Sequence, residues 1–368
     1  MSTIDLTKTL VSIPSFLGPG SNEEKIGQFI FEYLSNFKWL EVNKQRVENG
    51  RFNVVAKDKF RTKVLFCGHM DTVEPKSQFR KPTIKDNKLY GLGSSDMKCT
   101  LASMLSAIGQ IGPTNGVMWL FYIDEEYDFL GMNKFIEEYK GEIKPKLIIG
   151  EGSDNKIRNG CRGLIEIKFS VLGKTGHASR PENGINAIIG AQKIYRRISE
   201  TVNKYTDKFV GNSSINLASV DGGLNLGGGK IGRQGNNIAD YCEFIIDVRT
   251  ATNKLRARNL VQTAEKEALR NGLEISAVVR HDKLGWFSPF AKLPKKIINK
   301  YKIWSDFRTG YVDTQMLNET FNCPCYGFGC GLDDQAHKTN EYVAIKNLVN
   351  PEYFYMDLIK SLEGGEKL

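Results

Sequence analysis

The sequence contains no apolar run long enough to cross a bilayer, which takes roughly 18 residues or more, so no membrane span is expected. Its first residues, Met1-Ser2-Thr3-Ile4-Asp5, lack a basic stretch followed by an apolar one, so no export signal is expected either. Cysteines number seven, an odd count scattered along the chain, which does not resemble a disulfide framework. The close pair Cys323 and Cys325 lacks the two-residue gap of common zinc and redox motifs and reads as packing. These absences together fit a reducing cytoplasm. The net charge is +9, yet the basic residues are dispersed and form no long block, so a nucleic-acid partner is not expected. Gly222-Gly223 and Gly227-Gly228-Gly229 lie near Lys230 and Arg233 but match no phosphate-loop spacing. Internal repeats and low-complexity segments are lacking. Histidine is scarce, with His69, His177, His281 and His337 the four in the chain.

What is present is enough for two domains, since 368 residues exceed the usual size of one hydrophobic core. The composition, 40% hydrophobic and 25% charged, is ordinary for a globular protein. Ser21-Asn22-Glu23-Glu24 has the form of a capping box and precedes the helical spacing of Ile26, Phe29, Ile30, Tyr33 and Leu34. Strands are predicted at 40–47, 53–56 and 64–67. The turn-rich Gly91-Leu92-Gly93-Ser94-Ser95-Asp96-Met97-Lys98 opens a helix through Leu101, Leu105 and Ile108. A continuous apolar strand at 117–123, a helix at 130–139 and a buried strand at 147–149 follow, the alternation of an α/β domain.

The pattern then changes. Strands at 164–172, 215–220, 242–248 and 273–279, with helices at 185–198 and 255–270, give β-α-β-β-α-β, the order of a ferredoxin-like unit. From Pro289 the first style resumes, which predicts a domain inserted into another. The boundaries are drawn at 1–161 and 282–368 for the outer domain and 162–281 for the insert.

Each strand of the outer domain ends in a potential ligand. His69 and Asp71 follow one, Asp96 lies in a later loop, Glu125 and Glu126 follow another, Glu151 a fourth, and a loop near the C-terminus carries His337. Carboxylates gathered at one sheet edge would repel one another without a cation among them. Two imidazoles with three or four carboxylates suit a pair of Zn²⁺ ions better than copper or iron–sulfur. One carboxylate must then bridge. The neighbouring Glu125 and Glu126 allow one to bind metal while the other handles protons.

His69-Met70-Asp71-Thr72-Val73, Ser95-Asp96-Met97-Lys98, Asp124-Glu125-Glu126, Gly150-Glu151 and Ala336-His337-Lys338-Thr339-Asn340-Glu341-Tyr342 resemble, in order and spacing, the motifs of a dinuclear zinc family. That family includes acetylornithine deacetylase, succinyl-diaminopimelate desuccinylase, acetyl-lysine deacetylase, carboxypeptidase G and several dipeptidases. The resemblance runs from about Leu10 to Ile345. It implies an α/β catalytic domain with a mixed sheet flanked by helices, plus an inserted ferredoxin-like lid and dimerisation domain. It implies that Asp96 bridges two Zn²⁺ ions per chain, with Co²⁺ or Mn²⁺ as alternatives. His69 and Glu151 would complete one metal site, and Glu126 and His337 the other. Asp71 would orient His69, and Glu125 would be the general base.

In the insert, Gly173-Lys174-Thr175-Gly176-His177-Ala178-Ser179 resembles the motif whose histidine reaches across a dimer to the oxyanion. Asn236-Asn237-Ile238-Ala239-Asp240 stands where the family has Asn-Val-Ile-Pro, which makes Asn237 a substrate-binding candidate. Arg249 resembles the arginine that grips a substrate carboxylate, a task its two-pronged guanidinium suits. His281, beside Arg280 and Asp282, falls in no motif and reads as a surface residue. Departures from the family are Cys99 for a glycine, Ala239 for a proline, the long loop at Gly227-Gly228-Gly229, and Arg308-Thr309-Gly310-Tyr311-Val312-Asp313 for Gly-Thr-Ser-Asp. The activity implied is removal of an N-acyl group from an amino acid, acetylornithine first, in a cytoplasmic homodimer. The alternatives are a peptidase acting on short peptides, a desuccinylase, and an inactive binding protein on the same fold.

Overall fold

The computed structural model describes residues 1–76, 81–303 and 313–364. Among the described residues two compact units emerge: one from Met1–Gly160, 287–303 and 313–364, the other from Cys161–Trp286.

The first unit is built on a six-stranded mixed sheet. Its order is Glu41–Glu48, Arg51–Lys57, Val117–Tyr122, Val64–His69, Leu147–Gly150 and Cys325–Gly327. The first three strands pair antiparallel and the rest parallel. Every residue of Val64–His69, Val117–Tyr122 and Leu147–Gly150 is buried, as befits parallel strands covered on both faces. Phe66 stacks on Trp119 at 4.4 Å between ring centres. Leu6 and Leu10, Ile26 and Ile30, Leu101 and Leu105, and Phe354 and Leu358 bring helices Thr3–Val11, Glu24–Ser35, Lys98–Ile111 and Glu352–Glu363 onto this core. Helices Leu130–Tyr139 and Thr314–Phe321 pack on other strands of the sheet.

Two local expectations change here. The Ser21 capping box does not form. Ser21 pairs its backbone with Gly18 in a turn, and Asn22 Oδ1 takes the Glu24 N–H at 3.0 Å instead. Thr83–Lys85, Lys88–Tyr90 and Tyr342–Ala344, unassigned from sequence, form a small antiparallel sheet.

The second unit is a five-stranded antiparallel sheet ordered Ile231–Gly232, Ser214–Asn225, Tyr241–Thr250, Gly163–Leu172 and Glu274–Lys283. Without the short first strand, this is the ferredoxin-like order. Helices Ala187–Val202 and Ala257–Arg270 cover one face, where Ile165, Ile167, Phe169, Phe244 and Ile246 meet Ile194, Ile198 and Leu260. Strict alternation along Tyr241–Thr250 turns each second side chain into that core.

The strand read as 273–279 runs on to Lys283, past the boundary drawn at 281. His281 lies inside it opposite Glu166 and is buried, not at the surface. Charged neighbours made it look exposed, but the added residues continue the pairing. Gly222 and Gly223 also lie within a strand, where a Cβ on Gly223 would come 2.3 Å from the Gly232 carbonyl. Among the described residues, no helix is long and apolar enough to cross a membrane.

Candidate active site

Ligands at sites of open α/β sheets gather beyond the C-terminal ends of parallel strands. Here His69 ends one such strand, level with Tyr122 on its neighbour, and Gly150 is level with Gly327. The loops that follow therefore leave one sheet edge together, carrying Glu125 and Glu126, Glu151, and later His337.

One ligand atom each from His69, Asp96 and Glu126 lie within 4.8 Å of one another. Asp96 faces two imidazoles: its Oδ1 is 3.2 Å from His69 Nε2, and its Oδ2 is 3.6 Å from His337 Nε2. Glu126 meets the same His337 nitrogen at 3.0 Å. Glu151 follows its strand at Gly150 and senses Asp96 and His69 electrostatically, without a hydrogen bond to either. The close glycine packing that seats it is visible at Gly327, where a Cβ would fall 2.0 Å from the Glu151 carbonyl oxygen.

Asp71 is fully buried and holds two things. Its Oδ1 lies 3.5 Å from His69 Nδ1. The same carboxylate accepts the backbone N–H of Glu125 at 3.1 Å and of Glu126 at 2.9 Å. That turn is fastened from the other side by Asp124, whose φ of +70° lies in the left-handed region that aspartate tolerates. Asp124 accepts from Asp128 N–H at 3.1 Å and Leu130 N–H at 3.2 Å, and pairs with buried Arg51. Arg51 also binds Glu23 through both its Nε and Nη2.

The electrostatics reflect crowded carboxylates. Burial, then the charge of Asp96, pushes Glu151 up to about 8. Burial, followed by Asp96, also raises Glu126. Burial lifts Glu125 well above the usual carboxyl range; His69 opposes this, while Asp313 and Glu151 add to it. Burial works against charge on His69, but hydrogen bonds to Asp71 and Asp96 outweigh it and hold the ring well above its ordinary value. The hydrogen bond to Glu126 draws His337 up to about 9. Hard oxygen donors and imidazoles that repel or protonate one another are what a bound cation would relieve. The donor set, without a thiolate, fits divalent zinc, cobalt or manganese.

The remaining candidates lie in the second unit. His177 and Asn237, distant in sequence, pair as an antiparallel bridge. Ser179 N–H donates to His177 Nδ1 at 3.1 Å, and the residue is exposed. Asn237 is half-buried and bonds Asn236 Oδ1 at 3.0 Å. Arg249 uses its fork on Asp247 of the same strand, at 2.8 and 3.1 Å. Of the loosely matching segment, Arg308 to Val312 lies outside the described residues. Asp313 is described, and accepts a hydrogen bond from buried Tyr122 at 2.6 Å.

Several residues around the ligands had no reading from sequence. Glu341 takes three backbone N–H groups of the Asp96 loop. Gly331 lies so close to that loop that a Cβ would be 2.0 Å from the Ser95 carbonyl. The alternating Gly327-Phe328-Gly329-Cys330-Gly331 was a visible signal of such close backbone approach. A cavity of about 720 Å³ opens beside His337, with Lys76, Lys81, Lys85 and Lys338 in its lining beside Glu74, Asp86 and Glu341.

Comparison with known proteins gives this arrangement relatives. The pattern of the peptidase family M20/M25/M40 matches residues 65–361. An acetylornithine deacetylase of Buchnera aphidicola is 31% identical over 271 residues, which cover 67% of this chain and 68% of that protein. A tripeptidase of Staphylococcus aureus superposes with a TM-score of 0.76 at 23% identity, covering 97% of each chain. A dinuclear metal-binding peptidase of Bacillus subtilis superposes with a TM-score of 0.68 at 16% identity, covering 98% of each chain.

Proposed function

The chain belongs to the peptidase family M20/M25/M40, and from that premise we propose that it removes an N-acyl group from an amino acid, an acetylornithine-like compound first. At the coarser level it is a hydrolase that acts on an amide bond with the help of metal. The observation that carries the reading is Asp96, which offers one carboxylate oxygen to each of two imidazoles. A carboxylate so placed can span two ions, with His69 and Glu151 on one side and Glu126 and His337 on the other. Zn²⁺ is the preferred occupant, with Co²⁺ or Mn²⁺ as alternatives. Bound there, the ions would polarise the scissile carbonyl and make water a better nucleophile at neutral pH.

The chain's own groups do the rest. Glu125 takes the proton of the attacking water and returns it to the leaving amine. Asp71 fixes the backbone of that glutamate while orienting the His69 ring, so base and ligand share one support. His177 is the candidate donor to the developing oxyanion. Asn237, its bridge partner, steadies the loop and offers an amide to the substrate. Arg249 is the candidate for a substrate carboxylate, and Lys85 and Lys338 in the cavity beside His337 are further cations that could meet an acidic group. We also propose a homodimer formed through the second unit.

The test is a substrate panel on purified, metal-analysed protein: acetylornithine, acetyl-lysine, succinyl-diaminopimelate and dipeptides. Release of acetate or another acyl group, lost on chelation and restored by Zn²⁺ or Co²⁺, is expected. Cleavage of dipeptides alone overturns the deacylase reading, and absence of bound metal overturns the mechanism. Sedimentation measures the oligomeric state.

A further inference from the structure

The loop that presents Asp96 is held by a side chain from the far end of the sequence. Glu341 is 3% exposed. Its Oε2 accepts the Gly93 N–H at 2.7 Å, and its Oε1 accepts the N–H groups of Ser95 at 2.7 Å and Asp96 at 3.0 Å. The backbone repeats the join, with Gly91 N–H donating to the Glu341 carbonyl at 3.0 Å. One carboxylate thus satisfies three donors of a loop that is irregular and could not satisfy them internally.

Two further facts give the contact a direction. The bonded amides include that of Asp96 itself, so the carboxylate fixes the backbone from which the Asp96 side chain projects. Glu341 also stands four residues after His337, the residue facing the other oxygen of Asp96. The Asp96 loop and the His337 loop are therefore fastened to each other by a group that binds neither ion. We infer that Glu341 is a positioning residue: it preorganises Asp96 relative to His337 before metal arrives, and so sets the affinity for metal. The inference rests on the dinuclear reading above.

Glutamine at 341 would keep the shape but turn one oxygen into an NH₂ group. Whichever way the amide faces, a donor then meets at least one backbone N–H. Supporting groups of this kind typically account for about 10–100-fold in metal affinity. The experiment titrates Co²⁺ into metal-free wild type, Glu341→Gln and Val343→Ala, following the absorption of bound Co²⁺ and thermal unfolding of each apoprotein. Val343 is a fully buried apolar residue two positions on, so its truncation reports on looser packing of the same segment. Expected is a 10–100-fold weaker Co²⁺ affinity in Glu341→Gln, with Val343→Ala lowering the unfolding temperature but leaving affinity unchanged. Equal affinity in wild type and Glu341→Gln, or an equal loss in Val343→Ala, overturns the inference. A wild type that takes up no Co²⁺ overturns the dinuclear reading instead. Should Glu341→Gln not fold, hydrogen exchange on wild type decides. The amides of Gly93, Ser95 and Asp96 are expected to stay protected after chelation, and their rapid exchange in the apoprotein overturns the inference.

Discussion

The ligand cluster of the first unit and the His177 region of the second hold their polar groups in opposite ways. His69, Asp71 and Glu341 are all buried, and the carboxylates of Asp71 and Glu341 are each tied to backbone N–H groups of another loop. His177 is exposed, and Asn237 and Arg249 are half-buried. Their backbone is paired, and among the described residues their side chains bond near neighbours such as Ser179, Asn236 and Asp247. A buried polar network is rigid and fails as a unit when one member is altered. A more exposed set can exchange local partners for a ligand at small cost. The difference leaves the set in the first unit fixed and the set in the second able to change its local partners.

The largest effect should come from the buried side. Glu125→Gln removes the proton acceptor while leaving Asp71 bonded to the same backbone N–H. A fall in kcat of about 10²–10⁴-fold is expected, with metal content and unfolding temperature unchanged. Steady-state kinetics beside metal analysis checks it. Retained activity removes Glu125 from the mechanism and leaves the rigid cluster a metal holder alone.

His177→Ala comes next and probes the exposed side. Loss of an oxyanion donor typically lowers kcat by about 10²–10³-fold. Because His177 is exposed and its ring bonds only Ser179, the apoprotein should unfold at the wild-type temperature. A drop in stability without a drop in kcat would make His177 part of the scaffold and erase the contrast between the two regions.

Asp71→Asn should cost less than either. The amide would set a donor against Glu125 or Glu126 N–H, loosening the turn and the His69 ring together. About 10–100-fold weaker metal binding is expected, measured by competition with a chromogenic chelator. Affinity within twofold of wild type would mean that Arg51 and Asp124 hold the turn unaided.

Much of this contrast could be read in the sequence, and the reason lies in what kind of signal each residue leaves. The strands at 64–67, 117–123 and 147–149 announced themselves as apolar runs, and the ligands followed because loops at strand ends carry them. The alternation of Tyr241 to Thr250 was equally visible. Glu341 was not, because its partners are backbone N–H groups, which have no letter. Asp71 was expected to orient His69, but its grip on Glu125 and Glu126 crosses 54 and 55 positions and depends on a fold. His281 misled for the converse reason: the letters beside it are charged, while it lies buried opposite Glu166 on the one strand it pairs with. Arg249 was read from the resemblance as the grip for a substrate carboxylate, and nothing in the letters shows that its fork meets Asp247 two positions back on the same strand.

That pair frames the smallest effect. Arg249 and Asp247 are about one-third and one-quarter exposed, so solvent weakens their mutual attraction. A substrate carboxylate competing for the fork gains only the difference between two similar ion pairs, about 1 kcal/mol or less. Arg249→Ala should therefore raise KM by no more than about fivefold and leave kcat unchanged. Asp247→Asn, which frees the fork, should lower KM by a similar or smaller factor. If neither moves KM, while replacing Lys85 or Lys338 in the cavity beside His337 does, the anionic end of the substrate is read by the first unit. Recognition and chemistry would then both belong to that unit, with the second left to the oxyanion and assembly.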